Sequence, residues 1–169
     1  MSLRHHEIAE ARHRILDPFS HEKLRLLGEV CGVSTGTRVL DLACGKGEML
    51  SCWASWFGSG GHGVDLSHVF LAAAVERASE LGVSARVTFE QGDAGAFGAG
   101  EGQAGAAGAY DIASCLGATW IGGGLAGTLA LLRPFVREGG LVVVGEPFFH
   151  EPPPAEAIDA WGFGADDYT

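Results

Sequence analysis

Apolar positions along this chain change their period several times, and each change marks an element. "HHEIAEARHRIL" mixes polarity in the manner of a surface helix, with Glu10 and Arg14 at the supportive i,i+4 spacing. Asp17-Pro18 breaks that helix. Ser20 is the expected N-cap of a second one, with Leu24, Leu27 and Cys31 on one face and Gly32 as its stop. The pattern then turns to strand and helix in alternation. "RVLDLA" is a buried strand, followed by a helix carrying Met49, Leu50, Trp53, Trp56 and Phe57 on one stripe. "HGVDL" is a second strand, and Phe70, Ala74, Ala78 and Leu81 stripe the helix after it. "ARVTFEQ", "YDIASCL" and "GGLVVVGEP" read as three more strands, with Leu125, Leu129 and Leu132 marking a helix before the last.

Such alternation predicts right-handed crossovers and a mostly parallel sheet with helices on both faces, an α/β Rossmann-like sandwich. Residues 1–32 are expected to form an N-terminal helical lid and 33–150 the ligand-binding domain, with 151–169 an acidic, proline-rich tail. In an open α/β sheet, ligands sit beyond the carboxyl ends of the strands. The unusual residues cluster at those ends: Gly45 and Gly47, Asp65, Asp93, Cys115 to Thr119, and Glu146-Pro147.

Composition narrows the ligand. The net charge is −10, which disfavours a nucleic-acid partner because an acidic surface repels phosphate backbones. Residues 1–40 hold six of the eleven Lys and Arg, so a local basic patch remains open there. Four cysteines without a CxxC pairing read as reduced, mostly buried thiols of a cytoplasmic protein. No apolar run is long enough to span a bilayer, no leader is expected, and no membrane partner is inferred. The seven histidines are scattered, and no metal is assigned. The glycine-rich stretch 92–111 reads as a loose linker around a short structured core.

Asp65 lies 20 residues after Gly45, the spacing at which a carboxylate accepts both hydroxyls of a ribose. A nucleoside-bearing cofactor follows. A dinucleotide fingerprint on this loop would need glycine at 43, 45 and 48, where the chain has Ala43, Gly45 and Glu48. Glu48 at the helix start and Asp41 in the strand end would oppose a pyrophosphate. S-adenosylmethionine, with an ammonium, a sulfonium and no phosphate, suits those acids better than NAD.

On these residues the chain resembles the class I S-adenosylmethionine-dependent methyltransferases. "VLDLACGKGEML" is similar to their first motif, "GVDLS" to their ribose-binding strand end, and "FEQGDAGAF" to their adenine-contact loop. "YDIASCLGATWI" and "LLRPFVREGGLVVVGEP" match the fourth and fifth strands, and "CLGATWIGGG" with "GEPFF" resembles a small bacterial, small-molecule-type subgroup. The resemblance implies that Asp41 orients the methionine ammonium while Ala43, Cys44 and Gly45 line the methionine moiety. It places Asp65 on the ribose, Leu66 against adenine, Asp93 and Ala94 on the adenine edge, and the Cys115 and Leu116 backbone at the sulfonium. Two departures stand out: Ala43 replaces the motif's first glycine, and the tail shows no pattern for the family's sixth and seventh strands. The expected fold therefore lacks its terminal edge strands, leaving a fifth-strand edge bare or covered by a second copy in a homodimer.

The implied reaction is methyl transfer to a small-molecule acceptor by in-line displacement. Glu146, His13 and His150 are the candidate bases, and His13, Thr119, Trp120 and Glu146 the candidate substrate contacts. The acceptor is expected between the N-terminal segment and the loop after the fourth strand. Cys44 and Cys115 raise thiophilic substrates as a lesser option. A cofactor-binding module without catalysis, and an NAD-dependent oxidoreductase, are the rival readings.

Overall fold

The computed structural model describes residues 2–98 and 107–146, together with Pro154 and Glu156. Five parallel strands, β1 (Arg38–Leu42), β2 (Gly60–Asp65), β3 (Val87–Gln91), β4 (Tyr110–Leu116) and β5 (Val136–Gly145), lie in the order β3-β2-β1-β4-β5. Helix α3 (Glu48–Phe57) joins β1 to β2, α4 (His68–Glu80) joins β2 to β3, and α5 (Leu125–Leu132) precedes β5. Helices α1 (Leu3–Ala9) and α2 (His21–Val30) come before the sheet.

β1 is buried on both faces, which is why its sequence is a run rather than an alternation. Its side chains divide two cores by their period of two. Val39 joins Leu50, Trp53, Ala78 and Leu24 on one side. Leu40 and Leu42 join Val64, Ala113, Leu132 and Phe135 on the other. The buried Trp53 indole donates to the Leu24 carbonyl at 2.9 Å, tying α2 to α3. Because the chain runs from β1 outward to β3 and then returns to place β4 on β1's other side, the strand order reverses between β1 and β4. That crevice is where an open sheet admits a ligand.

Three expectations are corrected. The first helix ends at Ala9, not at residue 16. Lys46 Nζ donates to the carbonyls of Glu10, Ala11 and His13 at 2.7, 3.3 and 2.5 Å, claiming oxygens that a continuing helix would need for its own N–H groups. Glu10 consequently meets His13 at 2.7 Å, and Arg14 reaches Glu80 instead. α5 is turned from the expected stripe: Leu132 and Thr128 are fully buried while Leu125 and Leu129 are exposed. The Thr128 hydroxyl donates to the Thr119 carbonyl, which lets a polar side chain occupy the inner face. β5 begins at Val136, before Gly139-Gly140, and those glycines sit in a bulge where pairing jumps from Tyr110↔Val136 to Ile112↔Leu141. Among the described residues β5 pairs with β4 alone. The expectations for His150 and the 151–169 tail fall outside the described residues, apart from Pro154 and Glu156.

Candidate functional site

The turn from β1 into α3 is left-handed at alternate positions: Ala43, Gly45 and Gly47 have φ of 60°, 54° and 61°. Such values favour glycine, and Ala43 is the one non-glycine among the described residues to adopt them. The turn directs the Gly45 N–H onto Asp65 Oδ2 at 2.8 Å, while the Cys44 N–H bonds the Val64 carbonyl. The two glycines serve different ends. Gly45 lines a cavity and carries Leu16 above it. Gly47 faces inward, and a Cβ there would stand 2.5 Å from the Phe89 ring and 2.9 Å from Ala74. Gly47 is thus required by packing, and of the two glycines Gly45 is the one that lines the cavity.

The cavity holds about 660 Å³ at the carboxyl ends of β1, β2 and β4, within the size range of ligand sites. Asp41, Asp65, Leu66, Asp93 and Ala94 line it from the strand ends, and Leu116, Gly117, Ala118, Trp120 and Ile121 from beyond β4. Asp65 is a bracing acid: Oδ2 holds the Gly45 N–H, and Oδ1 accepts from the Ser67 N–H at 2.8 Å. Each carboxylate oxygen keeps a further lone pair for a ligand hydroxyl. Asp93 accepts from the Gly95 N–H at 2.9 Å, holding the loop after β3. The N-terminal segment forms the remaining wall. Glu7 accepts from the Ser67 hydroxyl at 2.6 Å, the His6 ring meets Phe70 edge-on, and Arg14 to Asp17 border the cavity. The segment therefore covers the β2 side as well as the β4 side, wider than the acceptor-side lid expected from sequence.

With this geometry in place, comparison with known proteins is decisive at family level. The profile of the family described as "Methyltransferase domain" matches residues 33–151. This chain belongs to that methyltransferase-domain family. It is 43% identical to an S-adenosylmethionine-dependent methyltransferase from Geobacter sulfurreducens solved with S-adenosyl-L-homocysteine, with a TM-score of 0.88 over 99% of this chain and 65% of that one. It is 41% identical to the corresponding protein from Thiobacillus denitrificans, also solved with S-adenosyl-L-homocysteine, at a TM-score of 0.87 and the same coverage. The Escherichia coli protein YjhP is 46% identical over 151 residues, 89% of this chain and 58% of YjhP. The chain thus spans about three fifths of the length of these relatives.

Within the methyltransferase domain, the sequence-derived residues separate into those on the cavity and those off it. Asp41, Ala43, Cys44, Gly45, Asp65, Leu66, Asp93, Ala94, Leu116 and Trp120 border it. Cys115, Thr119, His13 and Glu146 are not among the residues that line it. Cys115 points into the core on the far face of β4, where burial and then Asp41 push its thiol up to about 12. Thr119 is buried in a short 3-10 turn under α5. His13 is largely exposed and turned to Glu10, its carbonyl held by Lys46. Glu146 sits at the tip of β5 behind that 3-10 turn, pushed up by burial and eased by a hydrogen bond from the Thr119 backbone, with Oε1 enclosed and without a partner among the described residues. Cys44 borders the cavity, but its sulfur packs under β2, where a Cβ on Gly63 would stand 2.7 Å from Sγ. Burial raises that thiol well above its usual value, so neither cysteine offers a thiolate to a thiophilic substrate.

Glu48 also departs from its expected role. It is buried, and Arg77 forks both its oxygens at 2.9 Å, with His21 at 2.8 Å and Cys52 at 3.2 Å. Burial raises its carboxyl, but the bonds from Arg77, His21 and Cys52 outweigh that and hold it below the usual carboxylate range. Its charge is neutralised, so Glu48 does not repel a pyrophosphate. His21, Glu48 and Cys52 place three donor atoms within 4.8 Å of one another. The guanidinium already fills the carboxylate's valence, and a metal cation would have to displace it.

Besides Glu48, the acids that line the cavity are Asp17, Asp41, Asp65 and Asp93. Asp17 gave no signal beyond ending a helix, since its partners come from the fold. Asp41 is 5% exposed and accepts from the Ser114 hydroxyl at 2.8 Å. Burial pushes its carboxyl up to about 7, against the pull of Ser114 and helped by Asp17 and Asp65. A carboxyl raised on folding binds protons more tightly in the native state, so the stability it lends is full below the unfolded value near 3.8 and lost as pH rises through about 7. Asp41→Asn keeps an acceptor for Ser114 and removes that loss. It should raise the ligand-free melting temperature at pH 8 by at least about 3 °C and leave it nearly unchanged at about pH 4. Equal shifts at both pH values in thermal melts would contradict this assignment.

Proposed function

We propose that this domain binds S-adenosylmethionine and directs its methyl group to a small-molecule acceptor. The observation that carries the reading is a ligand-sized cavity at the strand-order reversal, walled by carboxylates from β1 and β2 and from the N-terminal segment. A diphosphate would meet Asp41 and Asp17 there, whereas a ligand with two positive charges and no phosphate is complementary. The relatives solved with S-adenosyl-L-homocysteine support the same ligand. Asp65 would hold the ribose, Leu66 and Ala94 the adenine faces with Asp93 at its edge, and Asp41 the ammonium. The protein's own work is alignment and exclusion of water, because the cofactor, once bound, supplies an activated methyl group. The segment bordering the cavity through Arg14 to Asp17, pinned by Lys46, screens the cofactor from solvent and confines the acceptor to the side of Gly117, Ala118 and Trp120.

A small molecule is the acceptor class best matched to that confinement, and the −10 charge weighs against a nucleic acid. The test is calorimetry with S-adenosylmethionine, S-adenosylhomocysteine and NAD, followed by incubation with methyl-labelled cofactor and a fractionated metabolite extract. Binding of the first two but not NAD, with label passing into a small-molecule fraction, is expected. Binding of NAD alone would overturn the cofactor reading. Tight cofactor binding with no labelled product in any fraction would favour a binding module.

A further inference from the structure

Asp17 is the one cavity acid whose carboxylate lacks a protein partner among the described residues. Asp41 is engaged by Ser114, and Asp65 by two backbone N–H groups. Asp17 enters none of the ion pairs or side-chain hydrogen bonds of the described residues. It is nonetheless well placed. Upstream, Lys46 anchors the carbonyls of residues 10, 11 and 13, and Leu16 rests on Gly45. Downstream, the Phe19 N–H bonds the Asp17 carbonyl at 2.7 Å. Its carboxylate lies over Gly117, so near that a Cβ there would stand 2.0 Å from Oδ1. Gly117 adopts φ +73° and is tied to β5 through the Gly145 carbonyl, so the floor under Asp17 is rigid.

The cations that border the cavity do not serve it. Lys46 is spent on three carbonyls, and Arg14 pairs with Glu80 at 3.4 Å. Burial, then the Glu10 charge, pushes Asp17 up to about 6, the mark of an anion that lacks a compensating cation. Asp41, 5% exposed, presents a second acid to the same space, its Oδ1 held by Ser114.

We propose that Asp17 is a specificity-determining residue that recognises the positive sulfur of the cofactor, so that the cavity holds S-adenosylmethionine more tightly than S-adenosylhomocysteine. This rests on the cofactor reading above. The ribose and adenine contacts occupy the ends of β2 and β3, and Asp41 on β1 takes the ammonium, so the sulfur lies toward β4 and Gly117, where Asp17 waits. When the methyl carbon leaves, the carbon–sulfur bonding pair stays on sulfur, and the sulfonium becomes a neutral thioether. The attraction to Asp17 disappears with the charge, and the product is released from a site that no longer favours it.

Calorimetric titration of the whole chain with S-adenosylmethionine and with S-adenosylhomocysteine tests this. Asp17→Asn and Asp17→Ala should each weaken S-adenosylmethionine about ten-fold or more and leave S-adenosylhomocysteine within about two-fold. Asp17→Glu, which keeps the charge, should retain most of the wild-type preference. Equal losses for both ligands would mean that Asp17 only positions the segment, and no loss for either would remove it from recognition. Both results overturn the inference while leaving the cofactor reading intact. Wild-type protein that binds neither ligand would overturn the cofactor reading itself, and this inference with it.

Discussion

Asp65→Ala should weaken S-adenosylhomocysteine binding about a hundred-fold, close to 2.7 kcal/mol. Two losses combine. The ribose loses a charged acceptor, and hydrogen bonds to charged groups contribute about 1.5–3 kcal/mol each. The Gly45 and Ser67 N–H groups also lose their shared anchor, which loosens the left-handed turn that lines the cavity. Asp65→Asn keeps one acceptor oxygen and should fall between, near ten-fold. Calorimetry on the folded variants measures both. If Asp65→Ala binds as well as the parent chain, Asp65 is a brace for the turn and the ribose lies elsewhere.

The largest effect on stability is expected at Arg77. Replacing it with leucine leaves Glu48, 4% exposed, without the guanidinium that meets both its oxygens. His21 and Cys52 remain, but neither replaces a forked, charged pair. Stranding a buried carboxylate in this way costs about 3–5 kcal/mol, or roughly 10 °C of melting temperature in a domain of this size. Joint replacement of Arg77 and Glu48 by leucine should recover most of it, because no charged group is then stranded in the core. A thermal melt of Arg77→Leu within about 2 °C of the parent would show that the pair is not structural.

How much of this was legible in the chain differs from one residue to the next. Ser20 caps its helix through a local bond from the Lys23 N–H, so a short sequence window contains the whole interaction. The parallel sheet was legible for a related reason: β1 is a mostly apolar run because it is covered on both faces, and the strand-helix alternation leaves few ways to connect its neighbours. Asp65 could be located because its distance from Gly45 follows from the length of one strand-helix-strand crossover. In each case a local rule or a chain-length rule carries the signal.

The remainder depended on contacts between segments far apart in sequence. Whether Glu48 faces a ligand or a guanidinium is decided by Arg77, which another helix delivers. Whether the first helix runs on past Ala9 is decided by Lys46, 36 residues after Glu10. Asp17 became part of the site because Gly117, 100 positions later, leaves room for its carboxylate. Local pattern specified the type of each element and the strand ends at which chemistry could gather. Only tertiary packing decided which way each charged side chain turned, because burial and partner together set the free energy of a charge, and neither is a local property.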